Sequence, residues 1–170
     1  MRKIKYLIAV LFLLQLFSLS AQTNMTVGEF EYDDIKFIVT SHESFYLIRP
    51  AESTNILANP ETIDDYPTER VRELIKIDGS TDWKSYVKEL SDWNQVVGRG
   101  ESIIAHFRCN GNGEILSLAF STDKSTKFRN ISIGMLYKMI MDKSNLKFTS
   151  PNDMHKKMNQ INFSIIYDIE

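Results

Sequence analysis

The sequence predicts an α+β domain, a mainly antiparallel sheet with helices packed on one side. Three observations predict it. In the last segment, residues 160–169, Ile161, Phe163, Ile165, Tyr167 and Ile169 alternate with Asn162, Ser164 and Asp168, the pattern of a strand with one buried face. Two alternating arms, 102–109 and 114–121, flank Asn110-Gly111-Asn112-Gly113, and Asn-Gly pairs supply the positive φ that tight hairpins need. Two further stretches place apolar residues at helical spacing, Trp83, Tyr86, Val87, Leu90 and Trp93 in one, Met135, Leu136, Met139 and Ile140 in the other.

Taken in chain order, the first element is an export signal. Met1-Arg2-Lys3-Ile4-Lys5 is basic, Tyr6 to Phe17 is apolar apart from Gln15, and Ser18-Leu19-Ser20-Ala21 supplies small residues for cleavage after Ala21, or after Ser20. The apolar core is shorter than the ~20 residues a membrane-spanning helix needs. Residues 1–21 are therefore expected to leave, and the protein to be exported to the periplasm, secreted or held at the outer surface, with no integral membrane segment after cleavage. Next, residues 29–40 alternate as β structure around a turn at Asp33-Asp34, and Phe45 to Ile48 reads as a strand stopped by Arg49-Pro50. Residues 51–68, polar and interrupted by Pro60 and Pro67, read as a loop or insert. Arg70 to Ile77 carries apolar residues at a spacing that fits helix or strand. Asp78-Gly79-Ser80 turns, Ser80 or Thr81 caps a helix over 82–95, and Gly98 and Gly100 end it. After the hairpin, Asn130 or Ser132 caps a second helix over 131–143, and 147–159 is a basic, irregular connection to the final strand. The chain divides into a hairpin-and-helix region, 22–98, packed on a strand–strand–helix–strand unit, 99–170.

Charge and cysteine content narrow the function classes. The full chain has a formal net charge of −2, and the signal carries three basic residues and no acid, so the mature protein stands at −5. An acidic exported domain is a poor binder of nucleic acid or of an anionic membrane. One cysteine makes no internal disulfide, so a packed core has to hold the fold.

The hairpin holds that cysteine, Cys109, with His106 three residues before it. Residues three apart on a regular strand point to opposite faces, so the two do not form a nucleophile–base pair. Cys109 lines up with Ile103, Ala105 and Phe107 as a small buried hydrophobe. His106 and Arg108 share the polar face with Ile104. On the second arm Leu116, Leu118 and Phe120 are the apolar set. Asp33-Asp34 and Asp64-Asp65 read as solvated turns, and the residues 78–82 lack the later ligands of a calcium loop. His42, His106 and His155 have no metal-ligand spacing. Trp83 and Trp93 read as core, and Lys143, Lys147, Lys156 and Lys157 as a solvated basic face. No catalytic residue, metal ligand or cofactor is predicted.

Residues 99–169 also resemble a TonB C-terminal-type domain. The resemblance rests on IIAHFRCNGNGEILSLAF as the first hairpin, IGMLYKMIMDKSNLKFTSP as the helix with the Phe148 to Pro151 run after it, and INFSIIYDI as the final strand. It covers less than half of the mature chain. A transducer of that family keeps a membrane anchor and a long proline-rich spacer, whereas this chain has four prolines in all. The resemblance thus implies a fold rather than energy transduction. It also implies a mode of binding, since that domain docks a receptor peptide by pairing it to an exposed strand. The remainder is similar to small secreted proteins of Gram-negative gut bacteria, a likeness that implies no function.

These readings converge on an exported, non-enzymatic binding or adaptor protein that takes a protein or peptide partner by strand addition or in the cleft between its halves. The candidate binding residues are Asn162, Ser164, Ile166 and Asp168 on the last strand and His106 and Arg108 on the hairpin. The alternatives are an enzyme with a dispersed site near the 102–121 hairpin and a structural part of a secreted assembly. Composition leaves the oligomeric state open.

Overall fold

The structure, a computed structural model, describes residues 24–53, 74–78 and 83–170. The export signal, most of the 51–68 segment with Asp64-Asp65, the first part of Arg70 to Ile77, and the turn and cap at 79–82 lie outside the described residues.

In chain order the elements are β1 (Gly28–Tyr32), β2 (Ile35–Ser41), β3 (Phe45–Pro50), β4 (Lys76–Asp78), α1 (Trp83–Glu89), α2 (Trp93–Val96), β5 (Glu101–Cys109), β6 (Ile115–Asp123), α3 (Asn130–Lys143), β7 (Lys147–Thr149), a 3₁₀ segment (Pro151–Lys157) and β8 (Ile161–Ile169). Six strands form one sheet in the order β1-β2-β3-β6-β5-β8, every neighbouring pair antiparallel, and β4 and β7 form a small second sheet. The fold is α+β with a mainly antiparallel sheet. One sheet spans both halves of the chain, because β3 pairs with β6.

Alternation decides which face is buried. Phe37 and Val39 of β2, Ile48 of β3, Leu118 and Phe120 of β6, and Ile103, Ala105, Phe107 and Cys109 of β5 all point to one side and are buried. Leu136 and Ile140 of α3 and Trp83 and Val87 of α1 complete that core. Contacts fix the helices on this face. Tyr137 of α3 packs edge-on against Phe37 with centroids 5.1 Å apart, Trp83 of α1 against Tyr167 of β8 at 5.6 Å, and Phe148 of β7 against Phe163 of β8 at 5.9 Å.

Several local expectations are corrected. The 82–95 helix is two short helices broken at Leu90–Asp92. The cause is Asp92, whose fully buried carboxylate turns inward: Arg129 Nε donates to it at 2.7 Å, Arg129 N–H at 2.9 Å, and the Ser132 hydroxyl donates as well. This anion sits at the first turn of α3, where the helix dipole favours it. Neither Asn130 nor Ser132 is the α3 cap; Arg129 holds that position, and Asn130 Oδ1 accepts from Thr26 N–H at 3.0 Å instead. The 147–159 connection is less irregular than its composition suggests, since Lys147–Thr149 pairs with Lys76–Asp78 as β7 with β4. That pairing also makes residues 76–78 strand. β3 runs through Pro50 rather than stopping before Arg49.

Candidate functional site

The predicted binding residues fall on two adjacent strands and form one surface. Arg108 faces Asn162 across the β5–β8 ladder, His106 faces Ser164, Ile104 faces Ile166, and Ser102 faces Asp168. All eight point away from the core, because each lies out of phase with Ile103, Ala105, Phe107 and Cys109. On the other side of β5, His106 faces Ala119 and Arg108 faces Ser117, which extends the surface over β6.

His106 is its centre. Nδ1 lies 2.8 Å from Ser164 Oγ and Nε2 2.9 Å from Ser121 Oγ. A neutral imidazole has one donor and one acceptor nitrogen, so it gives a hydrogen bond to one serine and takes one from the other. Burial lowers its pKa and favours this neutral form. His106 therefore ties β8 to β5 and β6 by side chains as well as backbone. Beside it, the hydroxyl of Ser117 and Asn162 Oδ1 are buried with no hydrogen-bond partner among the described residues. They stand on either side of Arg108, Ser117 on β6 and Asn162 on β8.

β8 is also an edge. Among the described residues it pairs on one side only, with β5. Ile166, on the open face, is 58% exposed, and Ser164 and Asp168 beside it are exposed.

A second feature lies where the sheet forks. β3 stays with β2 as far as Phe37↔Pro50, but its pairing with β6 stops at Ile48↔Phe120. Pro50 has no N–H to offer a neighbour. On β6 the register shifts by one residue, since Arg108 pairs with Ser117 but Cys109 pairs with Ile115. The extra residue is Leu116, which the alternation had assigned to the core and which the bulge leaves 49% exposed. Between the diverging strands is a cleft of about 570 Å³, lined among others by Leu116 and Ser117 from β6, Lys36 from β2 and Tyr137 from α3.

Cys109 takes no part in this surface. It is fully buried among the core side chains, and burial pushes its thiol up to about 12. A thiol without exposure or thiolate is inert. Trp83 is buried and Trp93 partly buried in the core, while Lys143, Lys147, Lys156 and Lys157 are exposed. His155 is buried, with Nδ1 2.8 Å from Ser150 Oγ. Among the described residues no group of three or more His, Cys, Asp or Glu is placed to hold a metal, and no helix is long and apolar enough to cross a membrane.

Sequence reasoning missed Ser117, Ser121 and the cleft. The serines alternate with Leu118 and Phe120, so the same pattern that marked the apolar set carried them. The cleft depends on where two distant strands part, which no local pattern encodes.

No family model matches the chain, and no curated protein matches it. A crystal structure of a DUF5043 family protein from Bacteroides uniformis is similar, with a TM-score of 0.59 at 12% identity over 88% of each chain. At that identity the likeness shows the fold alone, and it agrees with the α+β architecture described above.

Proposed function

We propose that this protein is an exported, non-enzymatic binding or adaptor protein that takes an extended protein or peptide segment by adding it as a strand along β8. The observation that carries this reading is the undefended state of that edge. An unpaired edge offers backbone donors and acceptors to any extended chain, and proteins usually blunt such edges with lysine, proline, bulges or short strands. β8 is nine residues long, INFSIIYDI, and has no lysine, arginine, proline or glycine. Backbone hydrogen bonds would supply affinity, and the exposed Ser164, Ile166 and Asp168 would read alternate side chains of the partner. The resemblance of residues 99–169 to a TonB C-terminal-type domain supports the same mode. His106 and Arg108 belong to the adjoining floor of the surface.

The test is selection from a displayed library of extended peptides on the immobilised protein, followed by affinity measurement with Ile166→Lys. A lysine there places a charge at the edge while leaving the core face untouched. Selected peptides should lose at least ~10-fold in affinity, with the thermal midpoint unchanged. Peptides that bind the variant equally well would sink the reading.

A further inference from the structure

The cleft at the β3–β6 fork is separate from the β8 edge, and its chemistry points to a different occupant. We propose that it binds a small zwitterion, a free amino acid or a short peptide. The ligand's ammonium would lie at Asp34 and Glu52 and its carboxylate at Lys36.

The volume, about 570 Å³, is that of a small-molecule site. Asp34, Lys36 and Glu52 all line it, and none of the three has an ion pair among the described residues. A ligand of one charge sign would leave either the ammonium or the carboxylates unmatched; a ligand with both answers both. Ser117, only 6% exposed, lines the same cleft with its hydroxyl unpartnered among the described residues. A hydroxyl in that state costs free energy unless a ligand or water completes it. Tyr137 adds a phenol that burial holds protonated, hence a hydrogen-bond donor. Leu116, exposed by the bulge, offers apolar surface for a ligand side chain.

The turn that presents Asp34 is an independent observation. Asp33 and Asp34 form a two-residue loop between β1 and β2, with φ of 50° and 62°. Such loops favour Asn-Gly because both residues take the left-handed conformation. Here two aspartates occupy it instead. The Asp33 carboxylate is held by Lys138 Nζ at 3.3 Å, which anchors the turn to α3. Asp34 has no such bond and lines the cleft. Unfavourable backbone conformations persist where they position a working side chain.

The experiment is an NMR titration of the ¹⁵N-labelled protein with triglycine, and with N-acetyl-triglycine amide, which has neither charge. Saturable shifts at the amides of Asp34, Lys36, Glu52 and Ser117, at least ~10-fold weaker for the uncharged control, are expected for a site that pairs both charges. Asp34→Gly suits the left-handed turn, so it should raise the melting temperature while weakening triglycine by ~10-fold. The proposal is overturned by equal binding of the two probes, by undiminished binding to Asp34→Gly, or by the absence of a saturable shift at millimolar triglycine. Shifts confined to Asn162–Asp168 overturn it too, and in that case leave the strand-edge reading standing.

Discussion

The two edges of the main sheet are built in opposite ways. β1, GEFEY, is five residues long and puts Glu29 and Glu31 on the open face, next to Ile38 and Lys36 of β2. β8 is nine residues long and puts Asn162, Ser164, Ile166 and Asp168 there. The short acidic edge is poor ground for another strand, because a pairing chain gains few hydrogen bonds and meets like-signed side chains at every second position. The long edge has neither defence. Among the described residues the sheet is thus short and acidic at one edge and long and nearly uncharged at the other.

The edges are also fastened differently, which mutations can separate. β8 is held by aromatic packing, with Phe163 stacked on Phe107 at 4.9 Å and edge-on to Phe148 at 5.9 Å. Phe163→Ala should cost about 2–3 kcal/mol, at or below the usual core range because Phe163 is only half-buried. Urea unfolding measures the loss. If hydrogen exchange then rises first in β8 while β1 stays protected, the packing is what secures that edge.

β1 is held by a close approach to α3. A Cβ at Gly134 would meet Tyr32 Cβ at 2.6 Å, which explains a glycine in the middle of a helix. Gly134→Ala gains helix propensity but overpacks this contact, and the balance should be a loss of about 1 kcal/mol. The expected exchange pattern is the converse, faster in β1 and unchanged in β8. A stabilised variant would show that β1 does not need the contact.

The smallest effect is a pH dependence at His106, the β5 residue whose ring bonds to Ser164 of β8 and Ser121 of β6. Burial lowers the pKa of His106 in the folded protein below its ordinary 6.5. Between that value and 6.5 the unfolded chain binds the proton more readily, so stability falls as pH drops through this window and is constant above it. Urea midpoints at pH 7.5 and 5 should differ through this group in the parent protein. His106→Asn should remove its share of the fall. An unaltered acid limb in the variant would mean that His106 titrates equally in both states.

Much of this was legible in the sequence. Alternation gave β8 and both arms of the hairpin, and the opposite phases of His106 and Cys109 followed from a three-residue spacing. The two sets of candidate residues read as separate patches, because periodicity reports which face a residue shares and not which strand lies alongside. Their union needed the Arg108↔Asn162 and His106↔Ser164 register, set by contacts far apart in the chain. Leu116 failed for a similar reason. A single inserted residue reverses the phase of everything before it, and no composition signals where the insertion falls. Asp92 broke a helix that its neighbours' periodicity supported, since a buried carboxylate bonded to Arg129 and Ser132 outweighs the propensity of a few residues.

The β5–β8 ladder has a consequence in time. β1, β2 and β3 pair in sequence order, as do β5 and β6, so each of those ladders closes only a short turn. β8 must instead find β5 across the whole length of β6, α3, β7 and the 3₁₀ segment, and even its nearest pair, Cys109↔Ile161, spans that stretch. The entropy of closing so long a loop is paid before any contact rewards it, which delays such pairings relative to local hairpins. The β3–β6 ladder closes a longer loop still, from Ile48 to Phe120, so both of these pairings follow the local hairpins. Until β8 arrives, the vacant edge belongs to β5, and the folding chain exposes a different strand to its surroundings from the one it finally presents.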